Sequence, residues 1–279
     1  MRGKEMAQTK GVSHRKKRVD INDLEAKEEA YGHKLTNGTI IKIVLSNAFF
    51  WLILGIVLYA NIWLALLTFL IGCLWVYYNV VSREISTRYY RRGLVERNHF
   101  LNSVVQLMSS PNATVTSAMR EAAERANGEF QQDLKKLLSV MLTAESQNKI
   151  HEAFNTIIDK YSDDILFCQF MVQLETADQE NVINDQMFQL IKDNHNDLFN
   201  KQKEYTNLKN NQKKEMLILI LMTIVVCCLL AVCFGLNNYI KTYAHSIIGL
   251  SCSTVYMIIY AFVTAKFFKY YYDESITTI

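Results

Sequence analysis

The chain has 279 residues, of which half are hydrophobic and a fifth are charged, and its formal net charge is only +3. Such a small charge gives no global basic field, so the composition does not favour a nucleic-acid-binding protein. One proline and ten glycines are few for this length. Because both residues interrupt helices, their scarcity favours long, continuous helices.

The N-terminal segment, residues 1–42, is polar and rich in lysine and arginine. Its low hydrophobicity predicts a mobile tail, and the polar length before the first apolar run argues against a secretory signal peptide. The basic stretch HRKKR, residues 14–18, can attract anionic lipid headgroups. It could instead contact nucleic acid, but nothing else in the chain favours that reading.

Residues 43–82 contain no charged side chain. A bilayer core needs about 20 apolar helical residues to be crossed once, so this run is long enough for two crossings. The least apolar point is Tyr59, Ala60 and Asn61, where we expect a tight turn. The run is therefore predicted to form a transmembrane hairpin.

A second apolar region, residues 216–265, repeats this pattern. One span is predicted over residues 216–236 and another over 246–265, joined by the loop NNYIKTYAH and followed by a tail, residues 266–279. The spans carry no ionised side chain, which disfavours a pump or an ion-coupled carrier. Polar residues such as Asn47 and Asn79 are more typical of contacts between helices.

Lysine and arginine are concentrated before the first hairpin, in the region between the hairpins and in the tail, whereas the two opposite loops contain only Lys241. Basic residues stay in the cytoplasm during membrane insertion. Both termini and residues 83–215 are therefore predicted to be cytoplasmic.

Residues 83–215 are long enough for a compact domain. Apolar residues recur there at helical spacing, without strand-like alternation, in six stripes: 94–108, 115–126, 130–142, 150–161, 165–174 and 183–199. The pattern predicts an all-α bundle of six helices, with 165–174 the most buried. Pro111 is expected to end the first helix and Thr114 to cap the second.

Two junctions between spans and bundle lack strong helix breakers. From Asn61 to Met108 only Gly72 and Gly93 weaken a helix, and from residue 182 to residue 236 only Gly235 does. The second span is thus expected to continue into the first bundle helix, and the last bundle helix into the third span. A force applied to the bundle would then pass directly into the bilayer.

No catalytic or phosphate-binding motif is present, so the sequence predicts a non-enzymatic protein without cofactor or metal. His99, His151 and His195 lack the spacing of metal ligands and are expected to be solvated or capping residues. Acidic residues are dense between Asp159 and Asp197. They fit a solvated face, a docking surface for a partner or, less well, a divalent-cation site.

Three segments carry a resemblance to a known family. SSPNATVTSAMREAAE (109–124) is similar to a turn followed by a small-L-x-x-A-L helix, and IHEAFNTII (150–158) to an L-x-E-A-L helix. QLETADQENVINDQM (173–187) resembles a G-E-x-x-G-x-L-x-x-x-L turn, with Glu175 at the glutamate and both glycines replaced. In this order and topology, the chain resembles the type II secretion system F domain family over roughly residues 83–270.

The resemblance implies a six-helix cytoplasmic bundle beside the spans of a bacterial inner-membrane platform protein. Such a protein binds a hexameric cytoplasmic ATPase and feeds pilin-like subunits from the membrane into a filament. One domain copy between two hairpins is most like the Tad-pilus members. The ATPase-contacting surface is expected around Arg91, Arg92, Glu175 and Asp178.

Two other functions remain open. The chain can be a membrane-anchored scaffold or sensor whose bundle binds a soluble signalling partner, or, less well, a channel or carrier. Four spans make a small membrane core, so a homodimer or a heterodimer with a paralogue is also expected.

Overall fold

The computed structural model describes residues 21–272, with the exception of residues 33, 111, 112 and 181. Within this part of the chain all regular elements are helical, which confirms the all-α prediction. The α-helices are α1 (Ile21–Glu29), α2 (Asn37–Tyr59), α3 (Ile62–Val76), α4 (Ser82–Met108), α5 (Val115–Arg125), α6 (Gly128–Thr143), α7 (Gln147–Lys160), α8 (Ile165–Glu180), α9 (Asp185–Phe234), α10 (Leu236–Asn238) and α11 (Ile247–Tyr271).

Four continuous helical segments are long and apolar enough to cross a membrane: Asn37–Tyr59, Ile62–Met108, Asp185–Phe234 and Ile247–Tyr271. Their most apolar windows have mean hydropathies between 1.8 and 3.2, and no more than 28% of any window is buried inside the protein. Most of these apolar side chains therefore face outward, as they would toward lipid. By length and composition the chain is a helical membrane protein.

Close packing of α2 against α3 depends on small residues. A β-carbon added at Gly72 would lie only 2.6 Å from Cγ of Trp51, and one added at Gly55 would lie 3.0 Å from Cα of Ala65. Small residues let two helix backbones approach in this way where no hydrophobic effect drives association. The first helix pair is thus held by steric fit.

The turn between α2 and α3 lies where the sequence predicts it. Ala60 has a left-handed backbone conformation with φ 45°, and the side chain of Asn61 accepts a hydrogen bond from the Trp63 backbone N–H at 3.0 Å. This bond satisfies one of the free donors at the start of α3.

The connection between α9 and α11 differs from the predicted loop. After Gly235, with φ 75°, the chain forms the short α10 and a π-helical turn over Tyr239–Ala244 before Ser246 caps α11. The segment NNYIKTYAH is therefore mostly helical. Tyr239 is buried, and its hydroxyl donates to the carbonyl of Val57 on α2 at 3.5 Å.

Both predicted junctions between span and bundle are continuous helix. From Ile62 the helix continues to Met108, through a π-helical turn at Tyr77–Val81. Helix α9 has 50 residues, which corresponds to a length of about 75 Å. The expectation that two spans continue into the bundle is confirmed.

The bundle core is built from α4 to α9, and each of the six predicted apolar stripes lies on one of these helices. At its centre the rings of Phe100, Phe130 and Phe167 meet edge to face, with centroids 5.5–6.4 Å apart. Phe170 adds a further edge-to-face contact with Phe100. Edge-to-face pairs of this kind stabilise a core beyond the area they bury.

Thr114 caps α5 as predicted. Its hydroxyl oxygen accepts a hydrogen bond from the Ser117 backbone N–H at 3.2 Å, and the Ser117 hydroxyl accepts one from the Thr114 N–H at 3.1 Å. The expected role of Pro111 in ending the preceding helix lies outside the described residues.

Two expectations need correction. Residues 1–42 were expected to be mobile, but α1 packs into the fold through Leu24, which is buried, and α2 begins at Asn37 rather than at residue 43. Residues 1–20 lie outside the described part. The second correction concerns α8, which buries one face only, because Ile165 and Val172 are exposed on its other side.

Candidate functional site

A cluster of polar side chains joins α4 to α9 within the bundle. We call it the polar joint, and it comprises Asn98 and Asn102 of α4, Asp164 at the start of α8, and His195 and Asn196 of α9. Asn98 and His195 are 7% and 2% exposed. Buried polar groups of this kind are stable only when they are hydrogen-bonded.

A reciprocal amide pair forms one half of the joint. The amide nitrogen of Asn102 donates to Oδ1 of Asn196 at 2.9 Å, and that of Asn196 donates back to Oδ1 of Asn102 at 3.0 Å. The Asn98 amide also donates to Oδ1 of Asn196, at 2.8 Å. Because all three bonds cross from one helix to the other, they fix the register of α4 against α9.

The other half is a chain from Asn98 through His195 to Asp164. The Asn98 amide nitrogen lies 3.0 Å from Nδ1 of His195, and Nε2 of the ring lies 3.3 Å from Oδ2 of Asp164. With Asn98 donating to Nδ1, the ring proton resides on Nε2 and is donated to the carboxylate. Asp164 also caps α8, since its Oδ1 accepts from the Phe167 N–H at 3.1 Å.

Arg97 completes the charge balance around Asp164. Its Nε lies 2.7 Å from Oδ2 of Asp164, and its guanidinium carbon lies 5.3 Å from the centre of the Tyr161 ring. Burial by itself would raise the pKa of Asp164, but the hydrogen bond with His195 and the charge of Arg97 outweigh it and lower the pKa to about 2. The carboxylate therefore stays ionised.

The sequence carries a signal for the polar joint that the apolar stripes do not include. Asn98 falls in the apolar stripe of α4, four residues after Leu94 and three before Leu101. His195 similarly follows Ile191 by one helical turn. Polar residues at core-facing positions indicate a buried network, whereas His195 was expected to be solvated or capping. That expectation was wrong.

The structure places the two predicted arginines near the membrane end of the bundle. Arg92 forms a salt bridge with Glu28 of α1, in which Nη1 lies 2.9 Å from a carboxylate that is only 6% exposed. Arg91 lines a cavity of about 340 Å³ between α4 and α9, together with Val95 and Phe199. Arg92 thus fastens α1 to the bundle, a role the sequence did not suggest.

Glu175 and Asp178 lie on α8, and the structure does not unite them with the arginines. Glu175 is buried and lies 2.7 Å from Nδ1 of His151, while Asp178 accepts a hydrogen bond from Thr116 on α5 at 3.1 Å. Since α5 follows the far end of α4, Asp178 lies near that end. The part of α4 from Arg92 to Met108 is about 24 Å long.

The dense acidic region is therefore not one solvated face. Asp164 and Glu175 are enclosed and partnered, whereas Asp159 and Asp197 are exposed. In the part of the chain that the structure describes, no group of three or more His, Cys, Asp or Glu side chains could hold a metal ion.

These features define a class of helical membrane protein in which two helices run unbroken from a bundle into the spans and are joined by a network of asparagine amides. No protein-family model and no solved structure matches the chain. It is 29% identical over 265 residues to an uncharacterized protein of Bacillus anthracis, and the match covers 95% of each chain. The likeness thus extends over spans and bundle together.

Proposed function

We propose that the chain is a non-enzymatic platform of a bacterial pilus or type II secretion-like assembly machine. It resides in the cell (inner) membrane and couples a cytoplasmic hexameric ATPase to the insertion of pilin-like subunits into a filament. The observation that carries the proposal is the continuity of two helices, Ile62–Met108 and Asp185–Phe234, from bundle to span. A platform must turn an event at the bundle into displacement within lipid, and stiff helices do this directly.

The orientation we propose has the bundle and both termini in the cytoplasm. It rests on the concentration of lysine and arginine at one end of the spans. Contacts at that end support placing the end of α11 on the same side as the bundle, because the side chain of Glu84 at the start of α4 accepts hydrogen bonds from Arg88 and from the hydroxyl of Tyr272 just after α11. The second and fourth spans therefore have their bundle-side ends together.

The ATPase contact is proposed to involve the membrane end of the bundle rather than one surface containing all four predicted residues. Arg92 and Glu175 are occupied by Glu28 and His151, so their replacement would disturb the fold. We retain Arg91 for the contact because of its position, since it lines the cavity between α4 and α9 at the membrane end of the bundle. The outward-facing apolar spans leave room for a homodimer or a paralogous heterodimer within lipid.

A break in α9 tests the coupling. Glu204 is exposed on α9 between the polar joint and the membrane. Proline there removes a helix hydrogen bond and kinks the helix, whereas alanine does not. In a strain lacking the native protein, we expect Glu204→Pro to abolish surface filaments or secretion while the protein still accumulates and co-purifies with the secretion-type ATPase. Glu204→Ala serves as the matched control.

Normal filaments with Glu204→Pro would refute mechanical coupling. Absence of any filament or secretion defect in the deletion strain, together with no ATPase in the purified complex, would refute the platform itself.

A membrane-anchored scaffold or sensor is the second candidate, and the polar joint favours it specifically. The joint fixes one register of α4 against α9, and a bound partner that opened it would release that register, as a signalling switch requires. This function would leave the protein without an ATPase or pilin partner, and co-purification would instead recover a soluble signalling protein.

A further inference from the structure

A cavity of about 480 Å³ lies where α2, α4 and α9 meet at the bundle-side end of the spans. Three cationic side chains from three different helices line it: Lys42, Arg88 and Lys213. Glu84 contributes the one carboxylate among its lining residues. The cavity therefore has an excess of positive charge.

Two of the three cations are not neutralised by the protein. Arg88 is, since its Nη2 lies 2.8 Å from Oε1 of Glu84. Among the described residues neither Lys42 nor Lys213 forms an ion pair, although the Lys213 ammonium lies 5.6 Å from the centre of the Tyr271 ring. Two lysines that converge on one cavity without a counter-charge favour an anionic ligand.

The first turn of α2 also lines the cavity. Gly38 and Thr39 in its first turn belong to the lining, and the capping residue Thr36 makes no side-chain hydrogen bond to that turn. The Thr39 backbone N–H donates to the Thr36 carbonyl at 2.7 Å, but the first turn of a helix still carries partial positive charge. This partial charge reinforces the attraction that the lysines exert on an anion.

The depth of the cavity indicates what kind of anion it takes. Lys42 is the last charged residue before the apolar run of the first span, and Ser46 continues the lining one turn deeper. Beside the cavity, Leu45 and Phe49 on α2 and Leu217 on α9 are exposed. A ligand with a charged head and apolar chains would satisfy both the cavity and this adjoining apolar surface.

We propose that this cavity is a specific site for the phosphate-bearing headgroup of an anionic phospholipid, whose acyl chains lie along the exposed faces of α2 and α9. The site rests on the four apolar spans and not on the platform function. A lipid bound there bridges three helices at the level where α4 and α9 enter the membrane.

The test uses full-length protein in detergent, titrated with phosphatidylglycerol or phosphatidylcholine and followed by native mass spectrometry. We expect phosphatidylglycerol to bind preferentially to the wild type. The double variant Lys42→Gln, Lys213→Gln should lose that preference by about tenfold or more, because each basic residue near an anionic lipid contributes appreciably.

The matched control is the double variant Lys266→Gln, Lys269→Gln. It removes the same amount of charge from two exposed positions at the bundle-side end of α11, outside the cavity lining. It should retain the preference. The variant Lys42→Arg, Lys213→Arg keeps the charge and should bind like the wild type, which separates loss of binding from loss of folding. An equal preference for phosphatidylglycerol in the Lys42→Gln, Lys213→Gln variant and in the Lys266→Gln, Lys269→Gln control would overturn the site.

Inorganic phosphate distinguishes a lipid from a soluble ligand. Excess phosphate should leave phosphatidylglycerol binding unchanged. If phosphate instead displaces the lipid, and stabilises the lipid-free protein only when Lys42 and Lys213 are present, the occupant is a soluble phosphate and the lipid proposal fails.

Discussion

The reciprocal amide pair of the polar joint allows a quantitative test of how α4 and α9 are held. Asn196→Leu removes the bonds from Asn98 and Asn102 and the bond that Asn196 returns to Oδ1 of Asn102. The donors keep a second acceptor, since the Asn98 amide still reaches His195 and the Asn102 amide still reaches the Asn98 carbonyl at 2.8 Å. The stranded group is therefore the Asn102 oxygen.

The cost follows from these partners. Leaving the half-buried Asn102 oxygen unpaired, together with loss of the net contribution of the bonds, amounts to about 2 kcal/mol. For a protein of this size that lowers the unfolding midpoint by about 4–8 °C. The double variant Asn102→Leu, Asn196→Leu leaves no amide of the pair unmatched, so it should lose less than the sum of the single variants, with a coupling energy of about 1–2 kcal/mol.

The assay measures the thermal unfolding midpoint of the full-length protein in detergent. Samples are heated to increasing temperatures, and size-exclusion chromatography then gives the fraction that remains folded. Asn200→Ala is the control, because Asn200 is exposed on the same helix, and it should change stability by less than about 0.5 kcal/mol. Additive effects of the Asn102 and Asn196 substitutions would refute the reasoning, since independent residues show no coupling energy.

Three further predictions concern other parts of the fold. The pKa of Asp164 is lowered from 3.8 to about 2, so the ionised carboxylate contributes about 2 kcal/mol to the free energy of unfolding. This contribution is present above pH 3.8 and is lost as the pH falls through about 2. Thermal midpoints measured over this range should fall more steeply for the wild type than for Asp164→Asn. Arg92→Met should destabilise the protein more than Arg125→Met. Arg92 pairs with the buried Glu28, whereas both members of the Arg125–Glu121 pair are at least half exposed. Equal unfolding midpoints for the two variants would contradict a structural role for Arg92. Gly72→Val should lower the free energy of unfolding by about 1–3 kcal/mol through its clash with Trp51. Leu70→Val, at a position 60% exposed on the same helix, should be nearly neutral, and a neutral Gly72→Val would show that α2 and α3 are not in close contact.

The secondary structure followed from sequence because its determinants are local. The period of the apolar residues, the cap at Thr114 and the turn at Ala60 and Asn61 each depend on a few neighbouring residues, and the structure agrees with all three. The two continuous helices could be expected for the same reason, since the absence of helix breakers is visible in the sequence itself.

The candidate site depended on pairings that the sequence does not display. Asp164 precedes α8 and His195 lies on α9, so nothing local indicates that one accepts a hydrogen bond from the other. Arg92 looked like an exposed arginine because α1, which supplies Glu28, was assigned to a mobile tail. In each case a charged or polar residue found its partner on a distant helix, and only the packing of the helices reveals it.

The choice of amides for the joint has a mechanical consequence. Apolar side chains at the interface would permit α9 to slide along α4, because dispersion contacts are similar in neighbouring registers. The Asn102–Asn196 pair has both of its bonds satisfied in one register only, and a displacement would strand its donors and acceptors. The two long helices must therefore move as one body unless the joint opens. A partner that tilts the bundle would tilt the second and third spans together, and the proposed lipid site sits where that motion enters the membrane.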